Sequence, residues 1–213
     1  MVGDWCLVFA GGQGIGRHEE RDGKQITEHG DCVGWSYMEN ISPHLESELR
    51  RLANGPSSGE KPGGIGTVRF VIRCPIGTDE VLAKAKSVLK AVDDAILMGW
   101  PTNEKVAPKL PEWFTERCAA PITQEEAERQ LAWWKSLPPE EQARIENETV
   151  WSLENWLYWM EPSNRQWFWW DAIESGNRQW FLCDAEVEAW PFPWGALRWL
   201  FRAAGASAVE AEE

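Results

Sequence analysis

The sequence contains few cysteines, and their spacing fits neither a disulfide framework nor a structural zinc site. There are five in 213 residues, and no two of them form a Cys-x-x-Cys pair. Disulfide scaffolds and zinc sites both need an even or closely spaced set of cysteines. We therefore expect reduced thiols, as in a cytoplasmic protein, at Cys6, Cys32, Cys74, Cys118 and Cys183.

Long apolar runs are also missing from the chain. No stretch reaches the roughly 18 consecutive apolar residues that a membrane span requires, so we expect no contact with a membrane. The segment Met1–Trp5 carries the acidic Asp4, where a secretory signal would carry basic residues. These absences predict a cytoplasmic protein.

Basic residues are scarce relative to acidic ones. The chain has 21 Lys and Arg against 34 Asp and Glu, a net charge of −13, and its isoelectric point is about 4.8. Direct binding of nucleic acid requires a basic surface, so we do not expect it. An acidic chain suits a basic protein partner, because opposite charges speed the encounter and help to reject other partners.

No catalytic or cofactor motif is complete. The glycine run Gly11–Gly16 lacks the spacing of a dinucleotide fingerprint, and Arg17 and His18 follow it where a phosphate loop has Lys and Ser or Thr. The metal-capable side chains His18, Glu19, Glu20, His29, Asp31 and Cys32 match no zinc pattern. We therefore predict no enzyme, no cofactor and no metal. Carboxylates are abundant, so a glycosidase-like acid pair stays open as an alternative.

Tryptophan is the most unusual feature that is present. The chain has sixteen, and thirteen follow residue 100, in the more acidic half. Tryptophan is enriched both in cores and in binding surfaces. We expect over half of the sixteen to be structural, including those on predicted helices, Trp133, Trp134, Trp156 and Trp199.

Periodicity predicts one α+β domain over residues 1–213, with a mostly antiparallel sheet and helices packed on one face of it. Apolar or β-branched runs predict strands over 4–10 and 67–73. Ser42 as N-cap and Pro43 at the first helical position predict a helix that ends before Asn54. The spacing of apolar residues over 79–98 predicts the clearest helix.

The second half is predicted to begin with an irregular, proline-rich connector over 101–121. A capping box at Thr123–Glu126 predicts a helix to about Leu137, and a second helix is predicted after Pro138. Residues 149–160 fit either a helix or a strand. A last helix is predicted over 196–204, followed by a frayed acidic tail.

A repeated pentapeptide marks a β-hairpin. Asn-Arg-Gln-Trp-Phe occurs at 164–168 and again at 177–181, with a turn sequence between the copies. Strict alternation places Phe181, Cys183, Ala185 and Val187 on a core face. It places tryptophans and carboxylates together on the opposite face. That face is the predicted partner-binding site: Trp167, Trp169, Asp171, Trp180, Asp184, Glu186 and Glu188. We expect reversal of the charges at Asp184 and Glu186 to weaken binding and leave the fold intact.

The hairpin and the segment that follows it, Pro191-Phe-Pro-Trp-Gly-Ala-Leu-Arg-Trp-Leu-Phe-Arg-Ala-Ala-Gly-Ala206, resemble the C-terminal part of immunity proteins from bacterial polymorphic toxin systems. The resemblance is to the group paired with restriction-endonuclease-like nuclease toxins, some of them delivered by type VI secretion. It covers 67–206 loosely and 164–206 more specifically. It implies a cytoplasmic inhibitor that binds its cognate toxin and blocks the nuclease site.

Two alternatives remain open at this point. Tryptophans beside carboxylates are also typical of carbohydrate subsites, so a protein that binds or hydrolyses carbohydrate is the main alternative. The tryptophan face can equally pair with a second copy of the chain. The sequence does not determine the oligomeric state.

Overall fold

The computed structural model describes residues 32–100, 102–176 and 178–212, and in 32–42 the backbone only. The predicted strand 4–10, the glycine run and the metal-capable side chains from His18 to Cys32 lie outside the side chains that are described.

Eight α-helices and four β-strands form within the described residues. The helices are α1 (Cys32–Asn54), α2 (Thr78–Leu97), α3 (Asn103–Val106), α4 (Glu112–Thr115), α5 (Gln124–Lys135), α6 (Pro139–Glu148), α7 (Leu153–Met160) and α8 (Gly195–Ala204). The strands are β1 (Gly66–Arg73), β2 (Trp167–Glu174), β3 (Trp180–Val187) and β4 (Ala208–Ala211). None of these helices combines the length and the apolar character that crossing a bilayer requires.

The four strands form one antiparallel sheet in the order β2-β3-β1-β4. The predicted α+β class is therefore confirmed. The prediction of a frayed C-terminal tail is wrong over Ala208–Ala211, because this segment pairs with β1 as an edge strand. Its short length and its acidic Glu210 are typical of edges that avoid unwanted pairing.

Helices cover one face of the sheet and form the core with it. The prediction of α2 is confirmed, and Val81, Val88 and Val92 on its apolar face are fully buried. On α8, the ring of Phe201 lies 5.6 Å from that of Phe181 in β3. Both helices lie on the same face of the sheet; on the opposite face, α1 packs on the end that carries Phe168 and Glu186, and no other described helix contacts the rest.

Two boundaries differ from the predicted ones. Helix α1 begins at Cys32, so Pro43 lies inside it rather than at its first position. A proline removes a single backbone hydrogen bond, which a long helix can tolerate at the cost of a local kink. The segment 102–121 is not irregular, since it contains α3, α4 and a 3₁₀ turn that bury Val106, Leu110 and Phe114.

Helix α1 lies along the free edge of β2 and satisfies its backbone groups. The Trp169 N–H donates to Oε1 of Glu48, and Nε of Arg51 donates to the Trp169 carbonyl at 3.0 Å. Nε of Arg165 donates to the carbonyl of Trp167 at 3.0 Å. Charged side chains thus take the place of a neighbouring strand at Trp167 and Trp169 and block pairing with another chain there.

Candidate functional site

The hairpin indicated by the repeated pentapeptide is present, with β2 antiparallel to β3. Residues that oppose each other across two strands project to the same face of the sheet. The predicted core face of β3 is confirmed, since its four residues are at most 1% exposed: Phe181, Cys183, Ala185 and Val187.

A β-bulge in β2 changes which side chains share a face. Before the bulge, Trp169 opposes Ala185 on the core face, and after it Asp171 opposes Asp184 on the other face. One extra residue in a strand reverses the alternation beyond it. Trp169 and Asp171 therefore project to opposite faces, although strict alternation places them together.

Trp167 and Trp169 do not belong to an exposed face, and this part of the predicted site is wrong. They are 1% and 0% exposed, and the ring of Trp169 lies 6.3 Å from that of Phe201 on α8. Both indoles fill the core between the sheet and its helices. A partner could reach them only if this packing were disrupted.

Glu186 is also buried, at 3% exposure. Its Oε2 lies 3.1 Å from Nη2 of Arg51, and its Oε1 accepts from the Gly63 N–H at 3.1 Å. Nδ1 of His44 is 3.5 Å from the same Oε1. A lysine at position 186 would lie against Arg51 in a buried site, so the contacts of Glu186 predict that this charge reversal destabilises the fold.

Asp184 is 7% exposed and forms a bidentate ion pair with Arg69 of β1. The two hydrogen bonds measure 2.7 Å from Nε to Oδ1 and 2.8 Å from Nη2 to Oδ2. A lysine at position 184 would repel Arg69 directly across the strand pair. The carboxylate of Asp184 therefore positions Arg69 and is not available for independent contact with a partner.

Three residues of the predicted site remain accessible. Asp171 and Trp180 are half-buried on the face opposite α2 and α8, and Glu188 is exposed beyond the end of β3. Asp171 forms no salt bridge within the described part of the chain, although Arg69 is near enough to interact with it electrostatically.

The face that carries Asp171 and Trp180 lies opposite α2 and α8, and we call the part of it that no described helix covers the open sheet face. It consists of side chains from all four strands and of Glu212, which follows β4: Arg69, Val71, Arg73, Asp171, Ile173, Trp180, Leu182, Asp184, Glu210 and Glu212.

The register arranges the open sheet face in rows across the strands. The central row is apolar, where Ile173 opposes Leu182 and Leu182 opposes Val71. Ile173 is 45% exposed. The row on one side contains Asp171, Asp184, Arg69 and Glu212, and the row on the other side contains Trp180 and Arg73. Glu210 opposes Val71 at the end of the central row, so four carboxylates and two arginines border the apolar strip.

A second cluster of charged side chains is buried beside β2. Arg165 has a fully buried side chain that donates to Glu48 at 2.6 Å and to Asp93 at 2.7 Å. Burial raises the pKa of both carboxyl groups, that of Glu48 to about 8. The other oxygens of the two groups, Glu48 Oε2 and Asp93 Oδ2, lack a hydrogen-bond partner when both are ionised.

A proton on Glu48 accounts for this arrangement. Protonated Glu48 donates to Asp93, which lowers the pKa of Asp93 against the effect of burial. The three groups then carry one positive and one negative charge, and no buried charge is left uncompensated. This cluster ties α1 and α2 to β2, and its residues are closed to solvent.

The stability of the protein is therefore expected to fall as the pH rises. A carboxyl whose pKa is raised in the folded state contributes stability below its ordinary value near 4.5, and this is lost as the pH rises through about 8. We expect Glu48→Gln, which cannot ionise, to reduce the loss by up to about 1.4 kcal/mol per pH unit. Urea unfolding between about pH 5 and pH 9 measures it.

The matched control for that prediction is Glu46→Gln, an exposed glutamate on the same helix. We expect it to leave the pH dependence as in the wild type. An unchanged pH dependence in Glu48→Gln would show that this group is ionised in the folded protein.

Two observations on the described side chains bear on a metal site and on a sugar site. No three histidine, cysteine, aspartate or glutamate side chains among them are grouped to hold a metal ion. Carbohydrate subsites need exposed indoles beside carboxylates, whereas Trp167 and Trp169 are in the core. Asp171 and Asp184 oppose each other on a flat sheet rather than in a cleft.

Several residues of the open sheet face were missed by sequence reasoning. Val71 and Arg69 alternate with the buried Phe70 and Ile72, so their face follows from alternation within β1 once it is known to pair with β3. The position of Glu210 is harder to predict, because a strand of only four residues is too short to show a clear alternation of apolar and polar residues.

Comparison of the chain with protein-family models, with curated proteins and with solved structures gives no match.

Proposed function

We propose that the protein is an immunity protein: a cytoplasmic, non-catalytic inhibitor that binds a cognate secreted nuclease toxin and blocks its nucleic-acid site. The open sheet face is the proposed contact surface. The observation that carries the proposal is the combination, on this face, of an exposed apolar strip with carboxylates that outnumber the basic side chains.

The electrostatics of the open sheet face support a basic partner. Asp171 has no salt bridge among the described residues. Glu210 of β4 and Glu212 just after it are 54% and 52% exposed, and they lie 3.3 and 4.0 Å from Arg73 and Arg69. A nuclease holds phosphates in a basic groove, which carboxylates presented on a rigid sheet can occupy. The overall charge of −13 adds long-range attraction.

The open sheet face supplies the centre of a contact surface. Three strands of eight residues and the four-residue β4, spaced about 4.8 Å apart, span at most roughly 19 Å by 26 Å, or about 500 Å². Flanking loops would have to supply the rest of the ~800 Å² per partner of a standard interface. Ile173, Leu182 and Val71 lie near its centre, where apolar contacts contribute most to affinity.

The proposal includes no catalytic step. An acid pair for hydrolysis requires two carboxyl groups in a pocket that holds a substrate. On the open sheet face Asp184 is engaged by Arg69, and its neighbour Asp171 accepts a hydrogen bond from the N–H of Ala172 at 2.8 Å. In the proposal, these carboxylates contribute charge to the surface that contacts the partner and take no part in a reaction.

The proposed function is tested by capture of the partner followed by an assay of toxicity. The tagged full chain is used to isolate binding proteins from its host, and each captured protein is expressed alone in a sensitive strain. We expect one that degrades nucleic acid and stops growth, and we expect co-expression of the chain to restore growth. A captured partner with no toxicity, or a toxin that the chain does not suppress, would contradict the proposal.

The contact surface is tested with the double variant Asp171→Lys/Ile173→Asp. Because both side chains are accessible, we expect the variant to unfold like the wild type and to bind the toxin at least about tenfold more weakly. Glu104→Lys, an exposed charge reversal on α3, is the matched control and should bind normally. Equal affinity of the double variant and the control would exclude the open sheet face as the contact surface.

A further inference from the structure

A second surface with the features of a binding site lies among the helices that precede the hairpin. A groove of about 400 Å³ runs between α5, α6 and the start of α7, and we call it the helical groove. Its apolar lining includes Ile122, Trp133, Ile145, Val150 and Trp151.

Three apolar side chains of the helical groove are exposed. Trp133 is 52% exposed, Val150 49% and Ile122 43%, whereas Trp134 beside them on α5 is 7% exposed. The expectation that Trp133 faces the core is therefore wrong. Exposed apolar side chains that are gathered in one concave site, rather than scattered, indicate a binding surface.

The walls of the helical groove are held in place by hydrogen bonds. Nε2 of Gln142 on α6 donates to the carbonyls of Trp134 and Leu137, at 3.1 and 3.0 Å, and so fixes α6 against α5. The Ala119 N–H donates to the carbonyl of Trp151 at 2.9 Å across the base of the groove. The site is thus formed before any ligand binds.

The charge around the helical groove identifies the kind of ligand. Residues 121–155 contain eight glutamates and three basic side chains. Exposed Glu154 lies next to Asn155 of the lining, and Glu126 lies one helical turn before Gln130, also of the lining. An apolar groove with an acidic border favours a segment in which apolar side chains are flanked by Lys or Arg.

From this geometry we infer that the helical groove binds a short basic, amphipathic segment of a partner protein. One or two apolar side chains of the segment lie against Trp133 and Val150, and its Lys or Arg side chains face the surrounding glutamates. A second copy of this chain is disfavoured by its charge of −13. The site is separate from the open sheet face and does not depend on the proposed toxin.

The experiment selects ligands from a displayed library of short random peptides, with the purified full chain as bait. We expect the enriched peptides to combine apolar residues with Lys or Arg. We expect Trp133→Ala and Val150→Asp each to weaken the selected peptides by about tenfold or more. Trp190→Ala, which removes a 61% exposed indole outside the groove, is the matched control and should leave their affinity unchanged.

Other outcomes would overturn the inference. Enrichment of acidic or uncharged peptides, or equal binding by Trp133→Ala and Trp190→Ala, would exclude a basic segment in the helical groove. Self-association of the wild type that Trp133→Ala abolishes would identify a second copy as the occupant. The apolar segment 4–10 of this chain is another possible occupant, which would compete with the peptides. If Leu7→Asp raised the affinity of the peptides, this segment would be identified as the occupant.

Discussion

Replacing Arg165 with methionine is expected to lower the free energy of unfolding by about 3–5 kcal/mol. The guanidinium is fully buried, and it pairs with Glu48 and Asp93 while Nε donates to the carbonyl of Trp167. Methionine fills similar space but leaves two buried carboxyl groups without their cation. Urea unfolding near pH 7 measures the loss.

The pH dependence distinguishes this cause from a simple packing defect. At acid pH the two carboxyl groups are protonated, so the deficit of Arg165→Met should be smaller there than near pH 8. Arg144→Met, which removes an exposed arginine paired with Glu141 and Glu148, should change stability little. A loss below about 1 kcal/mol for Arg165→Met would mean that this cluster does not hold β2 in place.

Truncation of Trp156 is the second change with a large expected effect. Its indole is fully buried, packs edge-on against Phe114 at 4.6 Å between ring centres, and donates from Nε1 to the Ala196 carbonyl at 3.0 Å. Trp156→Ala removes both contacts and leaves a cavity, at a cost of about 3–5 kcal/mol. Thermal or urea unfolding measures it.

Two further variants separate packing from the hydrogen bond. Trp156→Phe keeps an aromatic ring but removes the indole N–H that donates to the carbonyl of Ala196, so we expect a smaller loss of about 1–3 kcal/mol. Trp133→Ala removes an exposed indole and should be close to neutral. Similar losses for Trp156→Ala and Trp133→Ala would contradict the division of the tryptophans into core and surface groups.

Local signals predicted the helices and strands whose side chains obey a clear period. The apolar spacing of α2 and the Thr123–Glu126 capping box, both present as predicted, depend on contacts within one or two turns. Residues 149–160 remained ambiguous because tryptophans fit both periods. There, Ser152 caps α7 by accepting from the N–H of Asn155.

The faces of the hairpin were harder to predict than its existence. Alternation assigns faces correctly only while the register is unbroken, and the bulge after Trp169 breaks it. Nothing in Trp-Phe-Trp-Trp-Asp marks the bulge. In consequence Trp167 and Trp169 were assigned to a surface when they belong to the core.

Long-range partners account for the remaining errors. Glu186 is buried because Arg51 reaches it from α1, and Asp184 because Arg69 opposes it from β1. These pairs are separated by more than a hundred residues along the chain, so no local pattern reveals them. The tryptophan content, the most unusual feature of the composition, proves largely structural, with Trp151, Trp156 and Trp199 also buried.

Carboxyl footprinting of the complex tests the contact surface most directly. The captured partner is bound to the full chain, and accessible carboxylates are labelled and compared with those of the free chain. We expect Asp171, Glu210 and Glu212 of the open sheet face to lose labelling, and Glu104 on α3 to keep it. Unchanged labelling of Asp171 and the two glutamates of the edge strand, with protection elsewhere, would contradict the open sheet face as the site of binding.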